Sequence, residues 1–157
     1  VRMAAAPLVQ LQLRPVSLPE AKAATAEAVQ LLVDAQHPDV ASLLGAKVSD
    51  DMVVLRCWVS GAAAVSVECE NGVFLPAGGP DAKEDPPLQV ALSLSPHCPA
   101  DCGWLYEGAF EMIGLEPLAD AEAAVANWSY ALKVKYSDGG TTTWADPYGF
   151  GASLLPA

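Results

Sequence analysis

The chain is short of basic residues and of long apolar runs. It carries 8 Lys and Arg against 19 Asp and Glu, which gives a formal net charge of −11. Nucleic acids and anionic membrane surfaces are bound by clusters of basic side chains, so neither is expected as a partner. A membrane-spanning helix needs roughly 20 consecutive apolar residues, and no run in this sequence approaches that length.

Catalytic signatures are also missing. No GxSxG, HExxH, Walker or GxGxxG motif occurs in the chain, so the common hydrolase, zinc-protease and nucleotide-binding patterns are excluded. The carboxylates show no pair of the kind that glycoside hydrolysis requires. The two histidines, His37 and His97, lie far apart in the sequence. These absences predict a noncatalytic domain without a cofactor.

Cysteine is too scarce to indicate a disulfide framework, because only Cys57, Cys69, Cys98 and Cys102 are present. Cys57 and Cys69 fall on separate predicted strands, where they form either a cross-strand disulfide or, as we favour, two buried thiols. Cys98 and Cys102 follow His97 and could supply a nucleophile or begin a zinc site. We favour plain loop residues, because reactive thiols need an electropositive setting and structural zinc needs four ligands.

The N-terminal part of the chain combines a short strand with a helix. Its first residue is Val1 rather than Met, which suggests a fragment or a processed product, and no signal-peptide pattern follows. Residues 9–16 alternate apolar and polar side chains as a strand does, and Pro15 is expected to end it. Ser17 and Glu20 form a capping-box pattern before an apolar helical stripe. Residues 1–45 are therefore predicted to be an extension that contains a helix.

From residue 46 the apolar period changes to two, which predicts a sandwich of antiparallel strands over 46–157. Four strands are expected in DDMVVLRCWVSG, AAAVSVECENG, LQVALSLS and GWLYEGAFEMIGL, with a turn at Ser60-Gly61. Residues 76–87 are rich in Pro and Gly and are predicted to be a mobile loop. Residues 116–127 are rich in Ala and are helical or a loop. The stretch WSYALKVKYSDGGTTTWADPY is the clearest hairpin.

Aromatic residues are the best candidates for a binding role, because sugars stack their C–H faces on flat rings. Trp104 and Trp144 are expected to be the more exposed, and Tyr106 and Trp128 complete the set of candidate carbohydrate-binding residues. The other interpretation is a sandwich core in which aromatic side chains pair across strands. For Trp58 the core interpretation is favoured.

Several short motifs occur in the order and spacing of a known family. The stretch AVQLLVDAQHPDVASLLGAKVSDDMVVLRCWVSGAAAVSVE contains a helix, a His, an Asp-containing turn, an S-x-L-G motif and a V-x-R-x-W strand. GWLYEGAF, YALKV and DGGTTTWADPYGFGASL follow. The matching residues are His37, Asp39, Ser42, Leu44, Gly45, Val54, Arg56, Trp58, Gly61, Ala62, Val65, Val67, Gly103, Leu105, Tyr106, Glu107, Gly108, Tyr130, Leu132, Val134, Gly140, Asp146, Pro147, Tyr148, Phe150 and Leu154.

With these motifs, about Ala28 to Leu155 resembles the N-terminal domain of glycogen branching enzymes. The resemblance implies an immunoglobulin-like β-sandwich, related to the family-48 carbohydrate-binding modules that precede α-amylase-type catalytic barrels. It implies a noncatalytic module that assists binding of α-glucans (glycogen, starch or maltooligosaccharides) and chain-length selection beside a downstream catalytic domain. It also implies a location in the cytoplasm or a plastid.

The sequence departs from that family at one informative place. The G-D-F-N-x-W loop of typical modules is replaced by ECENGVF, so the usual stacking tryptophan is absent. A second hypothesis therefore stands beside the first: a structural or interaction sandwich that has lost glycan binding and docks on a neighbouring domain. In either case Tyr148 and Phe150 are expected to close the sandwich edge where the chain leaves it.

Overall fold

The computed structural model describes residues 11–34, 43–49, 52–76, 85, 87–99, 103–113, 118–126 and 128–145; for 118–121 and 144–145 it describes the backbone only. The strands in these ranges are β1 Gln12–Val16, β2 Gly45–Ser49, β3 Met52–Trp58, β4 Ala62–Cys69, β5 Val73–Phe74, β6 Gln89–Ala91, β7 Ser93–Leu94, β8 Leu105–Met112, β9 Tyr130–Tyr136 and β10 Thr141–Ala145. The helices are α1 Ala26–Val33 and α2 Leu118–Ala126, preceded by a 3-10 turn at Glu20–Lys22.

The strands form two sheets, which confirms the prediction of a mostly β, sandwich-like fold. Sheet A has the order β2-β3-β8-β1-β5, with β7 also paired to β8, and sheet B has the order β10-β9-β4-β6. The pairings are antiparallel, as predicted, except that β1 and β5 run parallel. In sheet A, β1 lies between β8 and β5.

The main core lies between the sheets and follows the two-residue period of the strands. Val67 of β4 and Leu132 of β9 point inward from sheet B, and Leu55 of β3 and Phe110 of β8 point inward from sheet A; all four side chains are fully buried. On sheet B the alternate side chains remain in contact with solvent. This is the pattern of an antiparallel sheet with one covered face.

Sheet A is covered on its second face by the N-terminal segment. Ala24 and Val29, before and within α1, are buried in a second cluster with Leu44 and Leu105. Because β3 and β8 are packed on both faces, their sequences are apolar almost continuously. The N-terminal residues also supply β1 to sheet A.

Helix α1 begins later than the capping-box pattern predicts. Thr25 is its N-cap, and its Oγ1 accepts a hydrogen bond of 3.1 Å from Ala28 N. Ser17 therefore caps no α-helix, and the chain from Glu20 makes only a 3-10 turn. The cause lies in the tertiary contacts of residues 22–24, which are described with the site below.

The predicted strand LQVALSLS changes sheets in its middle. Its first half, β6, pairs with β4, and its second half, β7, pairs with β8. Leu92, between the halves, is buried, and its N–H donates to Val65 O at 2.8 Å. A Cβ at Gly108 would lie 2.5 Å from Leu92 Cδ2, so the glycine lets the Leu92 side chain pack closely on β8.

The β9–β10 hairpin and its register confirm the strongest hairpin prediction. Tyr136 N donates to Gly140 O at 2.8 Å, and Gly139 has a φ of 91°, a value that favours glycine.

Pro15, expected to end the first strand, instead lies within β1 opposite Phe110. Its missing N–H is tolerated because β5 pairs with β1 only through Gln12 and Leu13. Most of the predicted loop 76–87, and the predicted edge closure by Tyr148 and Phe150, lie outside the described residues.

Candidate functional site

Trp128 lies in the core rather than at a binding surface. Its side chain is 2% exposed and is enclosed by aromatic rings. Its ring centroid lies 6.5 Å from that of Phe74, 6.2 Å from that of Phe110 and 4.5 Å from that of Tyr130. A ring covered in this way has no face free for a sugar. This corrects the placement of Trp128 among candidate carbohydrate-binding residues.

Tyr106 is also a core residue and joins the two sheets. Its side chain is 4% exposed, and its hydroxyl donates to Ala62 O at 2.9 Å. Ala62 lies beside a bulge in β4, so the bond ties sheet A to an irregular point of sheet B. Burial raises the pKa of the Tyr106 phenol, and the nearby thiols of Cys57 and Cys98 add to the rise. Tyr106 therefore offers a ligand neither its ring nor its hydroxyl.

Trp104 and Trp144 lie in different sheets. Trp104 is half-buried at the start of β8 and meets Trp58 edge to face, with ring centroids 6.1 Å apart at 86°. Trp144 lies on β10 opposite Leu132, and its side chain is outside the described set. The four predicted aromatic residues therefore do not converge on one site.

A buried ion pair explains the interrupted helix of the N-terminal segment. Glu107, only 3% exposed, accepts hydrogen bonds from Arg56 Nε at 3.0 Å and from Ala24 N at 2.7 Å. The other end of the Arg56 guanidinium donates to Lys22 O. Lys22 Nζ in turn donates to Ser49 Oγ at 2.7 Å. These bonds hold residues 22–24 against sheet A, so the backbone there cannot continue a helix.

A cleft opens where β1 and β7 separate along the edge of β8. Its volume is about 870 Å³, and its walls come from the 17–26 segment and from the chain around β6 and β7. Glu107, whose carboxylate lines this cleft, already accepts hydrogen bonds from Arg56 and from Ala24 N. Its role is therefore structural. At the rim, Leu94 is 48% exposed, and Leu88, earlier on the same segment, is 84% exposed.

A polar groove lies on the outer face of sheet B. Its volume is about 460 Å³. It is lined by Ala64, Ser66, Gln89, Lys133, Val134, Lys135, Thr141, Thr142 and Thr143. Ammonium, hydroxyl and carboxamide groups are thus gathered on one exposed surface. Sequence reasoning missed this groove because lysines that alternate with apolar residues indicate only a solvated strand face.

Cys57 and Cys69 lie on different sheets and form no disulfide, and Cys57 is buried as expected, whereas Cys69 is only half-buried. Burial raises the pKa of Cys69 from 9.0 to about 11. The hydrogen bond from Trp128 Nε1 to Cys69 Sγ, at 3.3 Å, acts in the opposite direction, and the charge of Glu68 adds to the rise. Such a thiol is protonated and unreactive at neutral pH.

The free energy of unfolding should therefore fall in alkaline solution partly through Cys69. Below about pH 9 the thiol is protonated in both states, and between about pH 9 and pH 11 only the unfolded chain loses the proton. The unfolded state then binds fewer protons, so stability decreases as the pH rises. Urea unfolding across this range should show a smaller decrease for Cys69→Ala than for the unmodified chain. Equal decreases in stability for Cys69→Ala and the unmodified chain would contradict the raised pKa of the Cys69 thiol.

No protein-family model matches the chain, and no curated protein matches it either. No helix among the described residues is long and apolar enough to cross a membrane. The same residues contain no group of three or more His, Cys, Asp or Glu side chains placed to hold a metal ion. The description of the site therefore rests on its geometry.

Proposed function

We propose that the chain is a noncatalytic accessory module of an α-1,4-glucan branching enzyme or a relative, with an immunoglobulin-like sandwich. One observation carries the proposal: the motifs that resemble the family fall in order on strands of a two-sheet fold. The motif residues within the described ranges lie on or beside β2 to β4, β8 and the β9–β10 hairpin, whereas His37, Asp39, Ser42 and the residues from Asp146 onward lie outside those ranges. The partners would be glycogen, starch or maltooligosaccharides and a downstream α-amylase-type catalytic domain, in the cytoplasm or a plastid.

The groove on sheet B is the surface that best suits an α-glucan. Sugar hydroxyl groups need donors and acceptors that are exposed but held in place, and the hydroxyls of Ser66, Thr141 and Thr143 are fixed on paired strands. In this arrangement the module holds a glucan chain and performs no bond cleavage.

A second function is favoured by the exposed leucines. Leu88 and Leu94 are the large apolar side chains that are exposed in the described part of the chain, and both lie on the segment that borders the cleft. A module that docks on a neighbouring domain would cover such residues. In that case the sandwich is a structural part of a larger enzyme and has lost its affinity for glucan.

Calorimetric titration with maltoheptaose separates the two functions. The glucan-binding function predicts saturable binding that Thr143→Val, which removes a hydroxyl from the groove, weakens about fivefold, a loss of about 1 kcal/mol. Trp104→Ala is the control, because Trp104 precedes β8 and does not line the groove. A loss confined to Trp104→Ala would move the sugar to the other sheet. Absence of binding by the unmodified chain would overturn glucan binding and favour the docking module.

A further inference from the structure

The register of sheet B places two lysines side by side at the centre of the groove. Lys133 and Lys135 are two residues apart on β9, so they share one face with Cα atoms roughly 7 Å apart. On one side, Thr143 pairs with Lys133 and Thr141 pairs with Lys135. On the other side, Ser66 of β4 pairs with Lys133. Each neighbouring strand therefore brings a hydroxyl group close to the two ammonium groups.

Beside Lys135 the groove is deepened by a small residue. Its partner on β4 is Ala64, whose side chain leaves room above the sheet. The bulge between Ala62 and Ala64 raises the local twist of this strand. A compact group can therefore descend between the lysines rather than rest on top of them.

The groove carries positively charged side chains although the chain as a whole is acidic. The chain carries 19 acidic and only 8 basic residues. Among the described residues, Arg14 and Arg56 form ion pairs with Glu111 and Glu107, whereas the structure shows no carboxylate paired with Lys133 or Lys135. Two lysines on one face give the groove a local positive charge, which attracts an anion.

A carboxylate on this face lies beyond Lys133. Glu68 lies opposite Ala131, one row beyond Lys133. It accepts a hydrogen bond of 3.3 Å from Gln89 Nε2 and so remains oriented toward β6. An anion is attracted toward the lysines and repelled from the Glu68 end, which fixes one position for it along the groove.

We propose that this groove binds a phosphate monoester carried on a glucan chain, with Lys133 and Lys135 as its cationic ligands. Lysine binds phosphate as a point charge, and serine and threonine hydroxyls donate to the remaining phosphate oxygens. The uncharged groups around the lysines would contact the adjoining sugar. This inference rests on the proposed glucan-binding function and adds that the preferred glucan carries a negatively charged phosphate group.

The test compares three probes on the full chain: maltoheptaose, a phosphorylated maltooligosaccharide of similar length, and inorganic phosphate. The phosphorylated sugar should bind about fivefold to tenfold more tightly than the neutral one, because a hydrogen bond to a charged group contributes more than a neutral one. Lys133→Gln and Lys135→Gln should each remove most of that advantage. Added salt should reduce it too. Lys47→Gln, on sheet A, is the matched control and should change nothing.

The possible outcomes separate this inference from the function on which it rests. Equal affinity for neutral and phosphorylated sugars, unchanged by Lys133→Gln, would overturn the phosphate ligand and leave glucan binding intact. Inorganic phosphate that binds as tightly as the phosphorylated sugar would overturn a glucan-borne ester, since the sugar would then contribute nothing. Failure of both sugars to bind would overturn both proposals. Circular dichroism confirms the fold of each variant, and surface Lys→Gln changes usually alter stability by less than about 0.5 kcal/mol.

Discussion

Replacing Glu107 with alanine should lower the free energy of unfolding by about 3–5 kcal/mol, the usual cost of breaking a buried ion pair by removing one partner. The Arg56 side chain is only 13% exposed and would lose its carboxylate. Ala24 N, also buried, would lose its acceptor. Urea unfolding followed by circular dichroism measures the change, provided that the slope with urea is unchanged.

The matched control lies four residues further along the same strand. Glu111 also pairs with an arginine, Arg14, at 2.9 Å, but these side chains are 37% and 28% exposed. Glu111→Ala should therefore cost less than about 1 kcal/mol, as exposed ion pairs do. Equal losses for Glu107→Ala and Glu111→Ala would show that burial of the first pair has no energetic consequence.

A double variant distinguishes the charge from the packing. In Arg56→Met with Glu107→Leu, both charges are replaced by apolar side chains of similar size. Such replacements are often neutral or stabilising for buried pairs, so much of the loss in Glu107→Ala should be recovered. The recovery will be incomplete, because Lys22 O and Ala24 N lose the hydrogen bonds that hold the N-terminal segment.

Trp128→Ala should cost about 3–5 kcal/mol, the range for removing a large aromatic side chain from a core. Trp128 packs against Phe74, Phe110 and Tyr130, and these rings cannot close a space of that size. The hydrogen bond from its Nε1 to Cys69 Sγ is lost as well. Urea or thermal unfolding measures the effect. A loss below about 1 kcal/mol would contradict the burial of this residue.

Trp128→Phe is the conservative partner of that experiment. It retains an aromatic ring and loses the indole hydrogen bond and some volume, so it should cost less than Trp128→Ala. Its affinity for maltoheptaose should equal that of the unmodified chain, since Trp128 has no exposed face. If a fully folded Trp128→Phe variant bound maltoheptaose more weakly than the unmodified chain, Trp128 would have to contact the sugar.

The alternation of apolar and polar residues predicted most of the strands, because it follows directly from the geometry of an extended backbone. Successive side chains of a strand point to opposite faces, so Val65, Val67, Leu132 and Val134 mark the buried face wherever the fold places it. The β9–β10 hairpin was equally predictable, because Gly139 supplies the positive φ of its turn. These signals are local and need no knowledge of the rest of the chain.

The candidate site was less predictable, because periodicity does not reveal what covers a face. Trp128 and Trp104 have the same chemistry in the sequence, and only the rings around each decide that Trp128 is buried and Trp104 half-buried. Lys133 and Lys135 indicate a solvated strand until β4 and β10 place Ser66, Thr141 and Thr143 beside them. Their significance depends on strand order, which no local pattern contains.

The sequence by itself determined most of the strands, the β9–β10 turn and a β class of fold, since those follow from side-chain alternation and turn residues. The tertiary structure decided where α1 begins. Ser17 and Glu20 satisfy the capping pattern, yet Thr25 is the cap, because Glu107 and Arg56 bind the backbone of residues 22–24. Those partners lie 34 to 83 residues away along the chain, and a local preference worth about 1 kcal/mol yields to a buried ion pair that costs several times as much to break.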